Sequence, residues 1–254
     1  MNRSALFSPL FNGLKAVGGL LLPRQCLLCG RQPLWGGEGP LCASCKMRLP
    51  RPHDSGCARC GSPLPPGLAR KNRCPGCTSR PSFVHEVRAP YRYEGALRDL
   101  IQTFKFKPEP GLGRMIGSLL VRGLEAHPFL TPLDQVTPVP LFPRRKRKRG
   151  FNQSELLARH VAGEMGLVLN TRSIFRWRDT DSQIGKGVRE RRRNVRGAFR
   201  FRRGSGPAGK RVLLIDDVLT TGSTASEAAH ALKRGGAKVV VFASVARAGL
   251  ESPV

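Results

Sequence analysis

Acidic residues are scarce in this chain. Seventeen Asp and Glu face 44 Lys and Arg, for a formal net charge of +27. That surplus goes far beyond what solubility requires and excludes a near-neutral surface. It implies a polyanionic partner, whether nucleic acid, a membrane surface or a phosphorylated ligand, unless it reflects only an Arg-rich coding background. Long apolar runs are missing too. The stretch from Leu10 to Leu22 is broken by Asn12, Lys15 and three glycines, so no segment reaches the length of a membrane span. No small-x-small cleavage site precedes Cys26. Cysteine is absent from the 177 residues after Cys77. These absences argue against a secreted disulfide scaffold and for a reducing, cytoplasmic setting.

What cysteine there is sits in one segment. Eight residues form four C-x-x-C pairs: Cys26/Cys29, Cys42/Cys45, Cys57/Cys60 and Cys74/Cys77. Tetrahedral Zn²⁺ takes four thiolates, and two such knuckles supply them. Sequential pairing gives two ribbons, one from the first four cysteines and one from the last four; interleaved pairing is the alternative. Ribbons this small need the metal to fold. A closed four-thiolate site leaves no position for a reacting water, so the role is structural or docking. The expected organisation is a lead-in helix over 1–25, a double zinc ribbon over 26–80 and an α/β domain over 81–254.

The C-terminal part carries the chemistry. Val212 to Ile215 reads as a buried parallel strand, Ala225 to Leu232 as a helix and Val239 to Ala243 as the next strand. Together they make a βαβ unit. Asp216 and Asp217 stand at the end of its first strand, where open α/β sheets bind ligands. Thr220, Thr221, Gly222, Ser223 and Thr224 follow. They offer successive backbone N–H groups at a helix N-terminus, which suits a phosphate. The carboxylates suit a polyol or a Mg²⁺ ion beside it. The implied ligand is a phosphorylated sugar. Thr224 with Glu227 reads as a capping box, and Gly235-Gly236 as the helix C-cap.

Upstream, Ala96 to Phe104 and Leu112 to Leu120 carry helical apolar stripes, read as packing helices. Tyr91, Tyr93 and Lys105-Phe106-Lys107 could touch a ligand, but packing with solvated lysines is the safer reading. A strand near Gln135 to Val139 leads to a basic loop, Arg144 to Arg149, beside a helix that Asn152 and Glu155 would cap. Such a loop suits a diphosphate. From Lys186 to Arg203, nine cations face one acid, with Phe199 and Phe201 interleaved. A strand explains that alternation better than a base-stacking surface does. Asp179 to Asn194 lacks an apolar period and reads as a charged lid.

The segment from Ile215 to Thr224 resembles the phosphoribosyl pyrophosphate (PRPP) motif of type I phosphoribosyltransferases. Pro138-Val139-Pro140-Leu141 with Arg145, then Arg149-Gly150-Phe151-Asn152-Gln153, resembles the central signature of the ComF family. Gln183, Arg191, Asn194, Val195, Gly197, Ala198 and Phe199 are similar to its next block, and the cysteine knuckles to its double zinc ribbon. The resemblance implies a type I phosphoribosyltransferase-like parallel sheet flanked by helices, with an N-terminal double zinc ribbon. It implies Asp216 and Asp217 on the ribose hydroxyls of PRPP and in the catalytic role. It implies Thr220 to Thr224 on the 5′-phosphate, Arg145 and Arg149 near the diphosphate, Mg²⁺ with PRPP, and two zinc ions on the eight cysteines. It also implies a link to natural competence, while the cationic surface points to single-stranded DNA, or a helicase-like protein, as a partner. Two functions follow. One is phosphoribosyl transfer from PRPP in DNA uptake or nucleotide-linked metabolism. The other is a non-enzymatic nucleic-acid-binding accessory protein whose PRPP pocket senses a ligand or is vestigial.

Overall fold

The computed structural model describes residues 25–31, 40–52, 56–62, 64, 73–77, 82–107, 109–180 and 188–248. The expected lead-in helix and Gln183 lie outside them. The chain divides into two compact units, 1–49 and 50–254. The division falls between the two expected ribbons, so the second belongs to the same unit as the sheet.

In the first unit, a short helix α1 (Ala43–Met47) starts directly after Cys42. The second unit holds a six-stranded sheet in which every pairing is parallel. Its strands are β1 (Glu86–Arg88), β2 (Tyr91–Arg92), β3 (Gln135–Pro138), β4 (Val168–Leu169), β7 (Arg211–Leu219) and β8 (Val239–Arg247). The order is β1-β8-β7-β3-β4, with β2 also on β8. Strands β5 (Ile174–Arg176) and β6 (Phe199–Phe201) form a separate antiparallel ribbon. The helices are α2 (Gly95–Phe106), α3 (Pro110–Ala126), α4 (Pro143–Arg149), α5 (Gln153–Glu164), α6 (Val188–Val195) and α7 (Ser223–Arg234).

Parallel neighbours need crossovers, and α7 supplies the one from β7 to β8. Val212 to Ile215 are fully buried, as expected of a strand covered on both faces. Val212, Leu214, Val240 and Phe242 pack with the small face of α7, Ala225, Ala228, Ala229 and Leu232, and with Ile174, Ala198 and Phe199 of the ribbon. Helices α3 and α5 pack closely on each other. Gly117 makes that approach possible, because a Cβ there would meet His160 at 2.6 Å.

Several sequence expectations change in detail. The strand read as Val212 to Ile215 runs on to Leu219, because β8 pairs with it past the carboxylates, Asp216 opposite Ser244 and Val218 opposite Ala246. The basic tract Arg144 to Arg149 is a helix, not a loop. Pro143 presets its first turn, Lys and Arg are good helix formers, and Gly150 at φ 80° ends it. Asn152 caps α5 through Ser154 N–H as expected, but Glu155 turns to Lys146 instead of closing a box. The Thr224–Glu227 box does not form. Gly222 takes the N-cap, and Glu227 accepts a bond from Gly197 N–H at 2.6 Å. The C-cap at Gly235-Gly236 is as read. Residues 188–194 of the expected lid are helical, within α6.

Candidate functional site

Asp216 and Asp217 stand near the C-terminal end of β7, the strand flanked by β3 and β8. Asp216 accepts bonds from Ser154 Oγ (2.7 Å) and from the Asp217 amide (2.9 Å). Asp217 accepts from the Val218 amide at 2.7 Å and pairs with Lys105 Nζ at 3.3 Å. The chain then leaves the strand. Gly222, at φ 75°, opens α7 and has no side chain to cap it. Thr221 Oγ1 and Ser223 Oγ lie 2.8 Å apart, and the Thr220 carbonyl accepts from Arg247. Thr224 lies in the helix's first turn. Strand, paired carboxylates, hydroxyl loop and helix N-terminus thus follow one another within ten residues, 215 to 224.

The motif Phe151-Asn152-Gln153-Ser154 assembles this place. Phe151 packs on Phe104 with ring centres 5.8 Å apart. Asn152 donates to the Val139 carbonyl as well as capping α5. Gln153 donates to the Lys105 carbonyl at 3.1 Å and accepts from Arg149 at 3.1 Å. Ser154 holds Asp216. One turn of chain therefore ties β3, α2 and β7 together and fixes the lysine opposite its aspartate.

Arg145 and Arg149 are both on α4 but part company. Arg149 is engaged by Gln153, whereas Arg145 turns to the Thr180 carbonyl and to Asp179 (3.7 Å). Asp179 also pairs with Arg144 at 3.2 Å. Arg176, 7 % exposed, donates to Thr180 Oγ1, while its Nε has no partner among the described residues. Its guanidinium is pulled down to about 10, first by burial and then by Arg145, with Asp216 and Asp179 opposing. Ser154, Arg176 and Asp179 are site neighbours that sequence reasoning missed, and Lys105 is one whose ligand-contact reading it set behind packing. For Lys105 the signal was the alternation Phe104-Lys105-Phe106-Lys107, read as packing with solvated lysines. An inward arginine in the run Ile174-Phe175-Arg176 has no such signal.

The Asp216 carboxyl is raised to about 7, mainly by burial and then by the Asp217 charge, against the Ser154 hydroxyl, the Asp217 amide and Lys105. A carboxyl whose folded pKa is raised favours folding while protonated. Asp216 therefore costs stability as pH climbs through the window from about 4 to about 7. Ligand-free protein should melt lower at about pH 7.5 than at about pH 5, and Asp216→Asn should shrink that difference. Paired thermal melts check it.

The cysteines gather as two clusters, Cys26, Cys29, Cys42 and Cys45, and Cys57, Cys60, Cys74 and Cys77. Sequential pairing is what forms, not interleaving. Within each cluster the four sulfurs lie within 4.8 Å of one another, with Cys29–Cys42 and Cys60–Cys74 at 3.8 Å. A tetrahedron with Zn–S bonds of about 2.3 Å has edges of about 3.8 Å, so the donor set fits zinc. Burial, with the neighbouring thiols, pushes Cys45 up to about 12, so a metal is what would draw the proton off. The second cluster is built into the sheet unit. Val87 N–H donates to the Ala58 carbonyl, and Gly61, at φ 68°, lies so close to Val87 and Ala89 that a Cβ would meet them at 3.1 and 3.3 Å.

Comparison with known proteins agrees with this layout. Residues 17–78 match the double zinc ribbon domain, and residues 128–252 match the phosphoribosyl transferase domain. The chain is 33 % identical to the DNA utilization protein YhgH of Salmonella typhimurium, over 87 % of this chain and 96 % of that one. It is 29 % identical to Competence protein F of Haemophilus influenzae, over 88 % and 97 %. It belongs to the ComF family. A third relative is Competence protein ComFC of Streptococcus pneumoniae, 27 % identical over 88 % of this chain and all of its own. Among solved structures, a glutamine PRPP amidotransferase from B. subtilis aligns over 56 % of this ComF chain and 30 % of its own, at 20 % identity and a TM-score of 0.37. No helix among the described residues is long and apolar enough to cross a membrane.

Proposed function

We propose that the β7–α7 junction of this ComF protein binds PRPP with Mg²⁺. The observation that carries the reading is the Asp216-Asp217 pair at the end of β7, a few residues ahead of a helix N-terminus whose cap position is a glycine. Asp216 and Asp217 hold the ribose hydroxyls. Thr220 to Thr224 receive the 5′-phosphate on backbone N–H groups and hydroxyls. Arg145 and Arg149 of α4 face the diphosphate side. The carboxylate oxygens suit a hard cation, and Mg²⁺ when bound neutralises diphosphate charge. In phosphoribosyl transfer the diphosphate leaves C1 as a nucleophile arrives. The protein's share is to position the sugar and stabilise the departing charge.

The names of the relatives, competence and DNA utilization, support a role for such a pocket in DNA uptake. The net charge of +27 adds single-stranded DNA as a partner, with a helicase-like protein alongside. Calorimetric titration with PRPP and Mg²⁺ tests the pocket. Saturable binding is expected. No heat and no shift in melting temperature up to about millimolar PRPP would leave the nucleic-acid accessory reading in its place.

A further inference from the structure

The β5–β6 ribbon has two faces of different character. Its inner face, Ile174 and Phe199, joins the core with α7. Its outer face alternates rings and guanidiniums. Phe175 lies opposite Arg200 in the ladder. Arg200 stacks over the Trp177 ring at 3.8 Å, and Arg202 lies over Phe175 at 5.3 Å. The interleaved phenylalanines of β6 thus do not make this face. Phe199 points inward, and the rings of this face are the half-buried Phe175 of β5 and the exposed Trp177 just after it.

Trp177 is 44 % exposed yet firmly held. Its indole N–H donates to the Gly197 carbonyl at 2.6 Å and its backbone N–H to the Ala198 carbonyl at 3.1 Å. The edge of the ring is therefore fixed while much of its surface meets water. Arg178 clamps the turn behind it through the Asn194 and Arg196 carbonyls. Trp177 follows β5 directly and its backbone bond to Ala198 carries the extended chain on, so it stands about 6.6 Å from Phe175, twice the stacking distance of planar rings and a spacing that suits bases. Counted along 172–203, the chain has twelve Lys or Arg against three Asp or Glu.

We propose that this outer face, Phe175, Trp177, Arg200 and Arg202, is a stacking platform for the bases of a single-stranded nucleic acid. The rings and guanidiniums offer flat surfaces that accept any base, and the neighbouring arginines follow the phosphates. A duplex hides its base faces and gains only the charge contacts. An acidic polypeptide would match the charge but would leave the rings without a planar partner. The face takes no part in the Asp216–Asp217 pocket, so PRPP binding and this proposal stand or fall separately.

The chain has two tryptophans, so Trp35→Phe leaves Trp177 as its sole indole reporter and changes no residue of β5 or β6. That protein is titrated with oligothymidylate of about 20 nucleotides, with an abasic oligomer of equal length and with polyglutamate, at two salt concentrations. Oligothymidylate should quench Trp177 emission saturably, more weakly at higher salt. The abasic oligomer should bind less tightly and leave the emission nearly unchanged, and polyglutamate should do the same. In the otherwise unaltered chain, Trp177→Ala should lower oligothymidylate affinity about 5- to 100-fold by polarisation of a labelled oligomer. Arg200→Lys with Arg202→Lys should also weaken it, although the charge is kept. Binding without quenching, equal quenching by the abasic oligomer or polyglutamate, or no binding overturns the proposal.

Discussion

Cys57→Ser should lower the melting temperature of the sheet-bearing unit, whereas Cys42→Ser should leave it unchanged. Both substitutions remove one thiolate of four, and both should reduce bound zinc from about two ions per chain to about one. They differ in what the lost ribbon supports. Cys57 is fully buried in the unit that carries the sheet. Its ribbon contributes the Ala58 carbonyl to Val87 and the close packing of Gly61 on Val87 and Ala89. Losing one hydrogen bond and part of that apolar contact costs roughly 1–3 kcal/mol. For a unit of this size that is about 3–10 °C. Cys42 belongs to the separate compact unit 1–49. Thermal unfolding followed by near-ultraviolet dichroism, with zinc assayed in parallel, checks both. Equal drops for the two variants would contradict the distinction.

The second large effect concerns the pocket. Asp217→Asn keeps the shape of the side chain and removes its charge, so affinity for PRPP with Mg²⁺ should fall roughly 10- to 100-fold, the worth of one hydrogen bond to a charged group. Ligand-free stability should respond differently with pH. With the neighbouring charge gone, Asp216 moves back toward the ordinary carboxylate range, and the stability lost on raising pH becomes smaller. Loss of the Lys105 pair at 3.3 Å opposes this gain by a modest amount, because both groups are partly solvated. Calorimetry for binding and melts at two pH values separate the two effects. Unchanged PRPP affinity would show that the carboxylate does not touch the ligand.

Much of this was legible before the fold was known, and the reason is locality. The hydroxyl loop proposed to take a phosphate is a run of consecutive residues, and each cysteine cluster is four cysteines within about twenty positions, so both could be read from spacing. What was not legible depends on closure of the chain. Ser154 meets Asp216 across 62 positions, and Lys105 reaches Asp217 from a helix whose favoured reading is packing. Arg176 faces inward because its ribbon packs on α7, which no pattern in Ile174-Phe175-Arg176 announces. The tract Arg144 to Arg149 was misread for another reason. A helix with no apolar stripe gives no periodic signal, and only Pro143 and Gly150 mark its ends.

The continuation of β7 through Asp216 and Asp217 has a bearing on how the pocket breathes. Strand residues paired on both sides open only when the whole unit opens, so their amides exchange with solvent at the slowest rates in a protein. Val212 to Ile215 sit in such a ladder, between β3 and β8, whereas Asp216 is paired on the β8 side alone, opposite Ser244, and residues 220–222 lie past the end of the strand. The strand that carries the carboxylates is thus anchored up to Ile215 without any ligand, and the freedom left for a ligand to quench lies in the few peptide units beyond it. Deuterium uptake would record binding as new protection in the loop, against a strand already silent.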